Sequence, residues 1–238
     1  MGRKYDLECA VDDIVFAEMD TRFGSKVPTS DTVKLSNGGV YIEAAYLYTD
    51  MADSTGLARW HTAETSAKII KAFLSAASRI LRHHDGEIRS YDGDRVMAIF
   101  IGGDGSTRAI RAALEIKWAV ENVVRQSLRL ALSGEYNENI WQLSHRTGID
   151  YGLALIARAG VRNHNDLVSI GDAPNIAAKL SDLKGYRTFI SERVWKEASY
   201  DSCFSSKGDA IWSQPETLNI GGGRYESVRH SNWGWVIA

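Results

Sequence analysis

The amino-acid sequence predicts an α+β fold. Runs rich in aromatic and β-branched residues, alternating with a period of two, mark strands, and longer stretches with apolar residues at helical spacing mark helices. In order from residue 40 these read β-α-α-β-β-α-β-β-α-β, with strands meeting through hairpins as well as crossovers. That order fits helices layered on a mixed sheet and disagrees with the regular alternation of a doubly wound fold. The 238 residues give room for one ordinary domain with short additions, or at most two small ones.

Residues 1–39 are polar and mixed, and 24–39, with Pro28 and the Asn37-Gly38 pair, read as loop. This stretch is expected to be an N-terminal arm ahead of a main domain over 40–238. The first strand, VYIEAAYLYTD, places Tyr46, Tyr48 and Asp50 on one face. Asp53, Ser54 and Thr55 are each good N-cap residues, so a helix starts among them. A second helix over 64–84 is carried by Ile69, Ile70, Phe73, Ala77, Ile80 and Leu81, and Asp85-Gly86 ends it. The strands EIRSY and RVMAIFI then flank Asp92-Gly93-Asp94, a hairpin signal. A third helix is expected over 106–126, a connecting loop over 133–145, and strands over 146–157 and 166–170. A helix over 174–183, the strand TFIS and a short helix over 192–198 follow. The tail holds the Gly221-Gly222-Gly223 turn and an expected closing strand pair around YESVRH and WGWVIA.

Composition narrows the possible functions. At 44% hydrophobic and 24% charged, the chain is globular in character. A formal charge of -2 gives no basis for broad nucleic-acid binding, although a local cation cluster or a bound metal can still hold a small phosphorylated ligand. Cys9 and Cys203 fit neither a zinc spacing nor a disulfide framework, and read as reduced thiols. The N-terminus is too acidic for a signal peptide, MGRKYD lacks the Ser/Thr of a myristoylation signal, and no stretch approaches the roughly 18 apolar residues of a transmembrane helix. A cytoplasmic protein with no membrane partner is expected.

Candidate chemistry gathers at few places. Asp50 ends a strand and Asp94 sits in a hairpin turn. Carboxylates at the ends of neighbouring strands can hold a pair of divalent cations, which suits in-line displacement at phosphorus. Taken singly, an N-cap and a turn former explain both. MADSTG leads into a helix N-terminus whose free N–H groups suit a polyphosphate. Asn175 and Lys179, one helical turn apart, can grip a transition-state phosphoryl group, and a solvated face carries such a pair as readily. GGDGS lacks the Lys-Ser/Thr of a phosphate loop and reads as a strand-to-helix turn.

Four segments in order, YLYTDMADST, EIRSYDGDRVMAIF, HRTGIDYGLALIARAG and VSIGDAPNIAAKL, resemble the class III adenylate/guanylate cyclase domain over residues 40–190. The resemblance implies a ferredoxin-like βαββαβ core with extra strands, and two divalent cations, Mn2+ or Mg2+, as cofactors. By position, Asp50 and Asp94 match the family's metal aspartates, and Met51 matches the residue whose backbone carbonyl reaches a metal. Asp53, Ser54 and Thr55 match the turn that wraps the triphosphate, and Asn175 the asparagine that orients the ribose. Lys179 falls where the family has a transition-state arginine, a change that keeps the charge and loses the planar fork. Arg224 is a candidate for the late basic residue that grips the triphosphate. Family members are two-fold dimers with sites at the interface, metal ligands from one subunit and Asn and Arg from the other, so a homodimer is implied.

In the family two side chains read a purine, and they are matched here by Ser90, four residues before Asp94, and Val168, three before Gly171. Neither is a purine reader. Tyr46 and Tyr48 are expected to narrow the pocket, while Arg89 and Tyr91 alternate to the other face unless the strand is irregular. This pattern resembles the bacterial pyrimidine cyclases of Pycsar antiphage defence. That resemblance implies a lyase that turns UTP into 3′,5′-cyclic UMP and pyrophosphate, with a cyclic-nucleotide-sensing effector downstream. The alternatives are a cytidylate cyclase, a purine cyclase with an unconventional base pocket, and a catalytically silent cyclase-like dimer that binds nucleotide.

Overall fold

The computed structural model of the chain describes residues 2–161 and 163–237. Its elements are α1 (Arg3–Val15), β1 (Asp20–Phe23), β2 (Gly38–Met51), α2 (Ser54–Trp60), α3 (Ala63–His83), β3 (Glu87–Asp92), β4 (Arg95–Ile101) and α4 (Gly105–Ala119). A π turn (Val120–Val124) leads from α4 into α5 (Arg125–Ala131). Then come β5 (His145–Val161), β6 (His164–Ile170), α6 (Asp172–Asp182), β7 (Thr188–Ser191), α7 (Glu192–Glu197), α8 (Tyr200–Cys203), β8 (Glu216–Asn219) and β9 (Tyr225–Ser231). The strands form one mixed sheet in the order β3-β4-β2-β5-β7-β9-β8, with β1 alongside β2 and β6 alongside β5. The expected α+β class and the expected order of elements over the core are both present.

The period of two in β2 builds two cores. Ala45, Leu47 and Met51 face Ile69, Phe73, Ala77 and Leu81 of α3 and the apolar stripe of α4. Each large side chain buried this way contributes about 1.5–3 kcal/mol. Ile42, Ala44 and Tyr46 face the other way, onto Ala173 and Ala177 of α6 and Met97 and Ile99 of β4. Thr62 starts α3 by accepting a hydrogen bond from the Thr65 amide. Helix α6 lies directly on β5: a Cβ at Gly148 would stand 2.2 Å from the Ala177 carbonyl oxygen, so only glycine admits the helix at this depth.

Two features differ from expectation. The closing strand β9 pairs with β8, not with the tail segment WGWVIA. Residues 233–237 carry no regular element, and Ala238 lies outside the described residues. The Trp235 amide donates to the Leu114 carbonyl and its side chain packs on the α3/α4 core, so the tail covers α4 instead of extending the sheet. The third helix runs past 126 because Val124 and Leu128 prolong its buried stripe. Residues 1–39 contain α1, which has no buried residue, and β1, which pairs in parallel with the start of β2. No described helix is long and apolar enough to cross a membrane.

Candidate active site

Asp50 lies one residue from the end of β2, in register with Arg95 of β4 and Arg146 of β5. Asp94 follows Gly93 in the β3–β4 turn, where Gly93 takes a φ of 60° that a side chain would resist. The hairpin brings the two aspartates close enough for the charge of Asp94 to act on Asp50. Burial pushes the Asp50 carboxyl up, Arg95 opposes this, and Asp94 and Asp182 add to it. One oxygen of Asp94, Oδ2, is buried with no hydrogen-bond partner. An unpartnered buried carboxylate oxygen is costly. Two hard carboxylates, one with an open oxygen, fit the way Mg2+ or Mn2+ is held by one or two carboxylates and completed by substrate phosphates. Among the described residues no group of three or more His, Cys, Asp or Glu side chains forms a self-sufficient metal set.

Arg95 was not anticipated as part of this site. Its Nη2 donates to Asp50 Oδ2 at 2.8 Å and to Asp182 Oδ1, at the end of α6, at 2.6 Å. Any cation at Asp50 competes with this guanidinium. Arg95→Gln is therefore expected to tighten Mn2+ binding without nucleotide about two- to fivefold, the scale of a partly exposed ion pair. Isothermal titration reads this directly, and unchanged or weaker binding contradicts it.

Met51 ends β2 opposite His145, with its side chain in the α3/α4 core. Asp53 adopts a left-handed φ of 59°, and its carboxylate accepts from the Gly56 amide. The indole nitrogen of Trp141 donates to the Asp53 carbonyl at 2.9 Å and fixes this turn from the loop over 133–145. Ser54 and Thr55 open α2, where first-turn amides have no acceptor within the helix. Asn175 is exposed on α6, and Lys179, one turn later, donates to the Gly221 carbonyl at 3.2 Å. Arg224 grips Asp172 at the start of α6 through two bonds of 2.7 and 3.0 Å and also binds Glu226, so within the protomer its guanidinium is committed to carboxylates.

On the base side, the pairing of β3 with β4 slips between Ile88 and Ser90. Arg89 is the extra residue of this bulge. Ser90 therefore faces Met97, its Oγ 3.9 Å from Met97 Sδ, on the α6 side of the sheet. The Arg89 guanidinium reaches Asp166 and the Leu167 carbonyl of β6, and its Nε is buried without a partner. The strand is irregular, so Arg89 does not alternate away from Ser90, whereas Tyr91 does and meets Ser78 of α3. Val168 follows Leu167 on β6 and is 39% exposed. Tyr46 is fully buried with its hydroxyl donating to the Ile42 carbonyl, while Tyr48 on the same face is half-buried. Tyr48 thus reaches the surface and Tyr46 supports it from within.

Known proteins place the chain in a family and its fold among solved structures. No protein-family model matches the chain. A uridylate cyclase of Rhodovulum sp. (strain MB263) is 41% identical over 181 residues, 75% of each chain. One from Xanthomonas perforans is 36% identical over the whole of both chains, and one from Burkholderia cepacia 34% identical over 98% of each. The chain belongs to the uridylate cyclase family. Among solved structures, the guanylyl cyclase Cya2 superposes with a TM-score of 0.69 at 18% identity, covering 83% of this chain and 95% of its own. The adenylyl cyclase CyaB from P. aeruginosa gives 0.60 at 18% identity, covering 81% and 95%. The fold is that of the class III cyclase catalytic domain, and the protein is a nucleotidyl cyclase.

The cyclase also carries a fully buried carboxylate, Asp150, whose partners the sequence motifs do not announce. Asp150, inside the third motif, is held by Arg193 through bonds of 3.1 and 2.8 Å and by Ser191. Burial pushes its carboxyl up in spite of these partners. Arg193 continues to Glu226 at 3.6 Å, and Glu226 to Arg224 at 2.8 Å, which links the core to the start of α6. These partners stand far apart in sequence, and no local pattern could have shown them.

Proposed function

We propose that the cyclase converts UTP to 3′,5′-cyclic UMP and pyrophosphate at two equivalent sites of a homodimer. The observation that carries the chemistry is the pair Asp50 and Asp94, with one Asp94 oxygen left open. Bound there, two divalent cations supply activation of the ribose 3′-hydroxyl and neutralisation of the phosphates. The first-turn amides at Ser54 and Thr55 face the triphosphate, with Asp53 fixing the turn and Met51 offering its carbonyl beside Asp50. Asn175 orients the ribose and Lys179 offsets charge on the transferring phosphoryl group.

Asn175 lies seven residues, or about 10 Å of helix rise, from Asp182 at the metal end, which favours its use by a second copy. Exposed Leu153, Val168 and Ile170 on the β5–β6 hairpin offer apolar surface for that copy. Ser90, Val168 and Tyr48 give no purine-reading pair and a narrow wall. The free Nε of Arg89 is a donor, which suits the O4 acceptor of uracil better than the N4 donor of cytosine. The relatives named uridylate cyclases point the same way. The product would serve as a second messenger in antiviral defence, read by a cyclic-nucleotide-sensing effector in the cytoplasm, with no role for nucleic acid or membrane.

Two experiments test this reading. Incubation with UTP and Mn2+ should yield cyclic UMP and pyrophosphate, and unchanged UTP overturns the activity. Asp94→Ala and Asn175→Ala should each be inactive, and mixing them after reversible dissociation should restore about one quarter of wild-type activity. Half the dimers are then mixed, and each mixed dimer has one intact site of two. No recovery contradicts the shared site. Binding of UTP without turnover in the wild type would favour the silent-dimer alternative, to which Lys179 in place of arginine lends some support.

A further inference from the structure

Helix α1 stands off the domain with nothing packed on it. None of its 13 residues is buried. An isolated helix of this length is marginal in water, and most helical stability comes from packing an apolar face. The pattern for such packing is present. Leu7, Val11 and Ile14 recur at helical spacing, with Ala10 between them, and are 64%, 48% and 62% exposed. Asp6 and Asp13 flank this stripe on one side, Glu8 and Asp12 on the other. Asp12 and Asp13 lie at the C-terminal end, where the helix dipole disfavours carboxylates, and the last turn has no basic residue. The surface that suits this helix is apolar and rimmed by cations.

Such a surface lies between α3 and β3. A groove of about 1330 Å³ runs there along Lys71 to His83. Leu74 and Ile88, which pack on the main core, give it an apolar floor. Lys71, Arg79 and Arg82 stand exposed along it. Among the described residues, no carboxylate lies within ion-pair distance of these three cations, and Asp85 and Glu87 at the end of the groove pair with none of them. Along α3 the stretch from Lys71 to His83 rises about 18 Å, against about 20 Å for the whole of α1.

The helix cannot lie in the groove of its own chain. Strand β1 pins Asp20 beside Gly38 of β2. Glu87, in register through Ile99 with Tyr46, lies about 26 Å further along the sheet and two strands across. The chain from Val15 to Asp20 spans at most about 18 Å.

We propose that α1 of one copy docks in the α3–β3 groove of a second copy, with its apolar stripe on Leu74 and Ile88 and its carboxylates among Lys71, Arg79 and Arg82. Two copies satisfy this contact reciprocally, each lending its helix to the other. The groove is on the α3 face of the sheet, opposite the α6 face that carries Ser90, so the contact is distinct from the active site and holds whichever nucleotide is cyclised.

The test is disulfide trapping in the full chain at low ionic strength. Cys203 is buried, and Cys9→Ala removes the exposed thiol. In that background Ala10→Cys places a thiol at the middle of the stripe and Ser75→Cys one at the middle of the groove, so the two meet whichever way the helix runs. Chains carrying one each, mixed after reversible dissociation and mildly oxidised, are expected to give the one-to-one covalent pair. Its yield should fall at least about fivefold when the Ser75→Cys chain also carries Arg79→Glu and Arg82→Glu, the scale of a few exposed ion pairs. Asp12→Lys and Asp13→Lys on the Ala10→Cys chain should then restore it, which a folding defect would not allow. Amide exchange of α1 in the unaltered protein should also slow as concentration rises. Four results overturn the proposal: a yield no higher than that from native Cys9 on the polar face of α1, a yield indifferent to the charge reversals, trapping of Ala10→Cys mainly with itself, or a bond formed within one chain carrying both thiols.

Discussion

Asp94→Ala is expected to lower the cyclisation rate by on the order of a thousandfold or more, since it removes one of the two carboxylates proposed to hold the cations that neutralise the reacting phosphates. The same change should not cost stability. Asp94 Oδ2 is buried and unpartnered, so alanine relieves an uncompensated acceptor instead of breaking a bond. The expected signature is lost turnover with a melting temperature equal to or above that of the wild type. Asp50→Ala should differ, because it strands Arg95 between Asp182 and an empty position. Turnover assayed with Mn2+ together with a thermal melt separates the two variants. Substantial activity in Asp94→Ala contradicts the assignment, and a large fall in melting temperature contradicts the claim that its oxygen is free.

The largest expected effect on stability belongs to Arg193→Ala. Asp150 has a side chain with 0% exposure, and Arg193 supplies two of its hydrogen bonds. Removing Arg193 leaves a buried carboxylate short of two bonds, and because the Arg193 side chain is 43% exposed and water can reach the vacated side, the cost is about 1–3 kcal/mol at neutral pH. The pH dependence has a definite sign. The folded carboxyl of Asp150 already lies above its unfolded value because burial outweighs Arg193 and Ser191. A raised folded value means that the folded state keeps its proton longer than the unfolded state. Its contribution to stability is fully present below the unfolded value and is lost as pH rises through the folded one. Without Arg193 the folded value rises further and this window widens upward. Urea denaturation should therefore show a smaller penalty for Arg193→Ala at pH 5 than at pH 8. A loss below about 1 kcal/mol, or a larger loss at pH 5, contradicts the role of Arg193.

The parts of the site that were legible in the sequence are those set by local periodicity. The alternation in VYIEAAYLYTD put Tyr46, Tyr48 and Asp50 on one face, and they lie on one face of β2. The apolar stripe of α3 and the Asp92-Gly93-Asp94 turn appeared where their patterns placed them. Arg89 was misplaced by the same rule, because a one-residue bulge inverts alternation and nothing in EIRSY signals it. Arg95 and Asp182 are 87 residues apart, and Arg193 and Asp150 43, so their pairing depends on the assembled sheet. The partner of β9 was misread because strand-like composition in WGWVIA reflects burial of Trp235 against α4, which tail and strand share.

The most direct measurement is competition among UTP, CTP, ATP and GTP at equal concentration, with Mn2+, and with the cyclic products resolved by mass. The result expected is cyclic UMP in large excess over the other three, lost together with all other products in Asp94→Ala. Cyclic AMP or cyclic GMP as the main product would contradict the base pocket built on Arg89, Ser90 and Val168, and no cyclic product from any of the four would contradict the reaction itself.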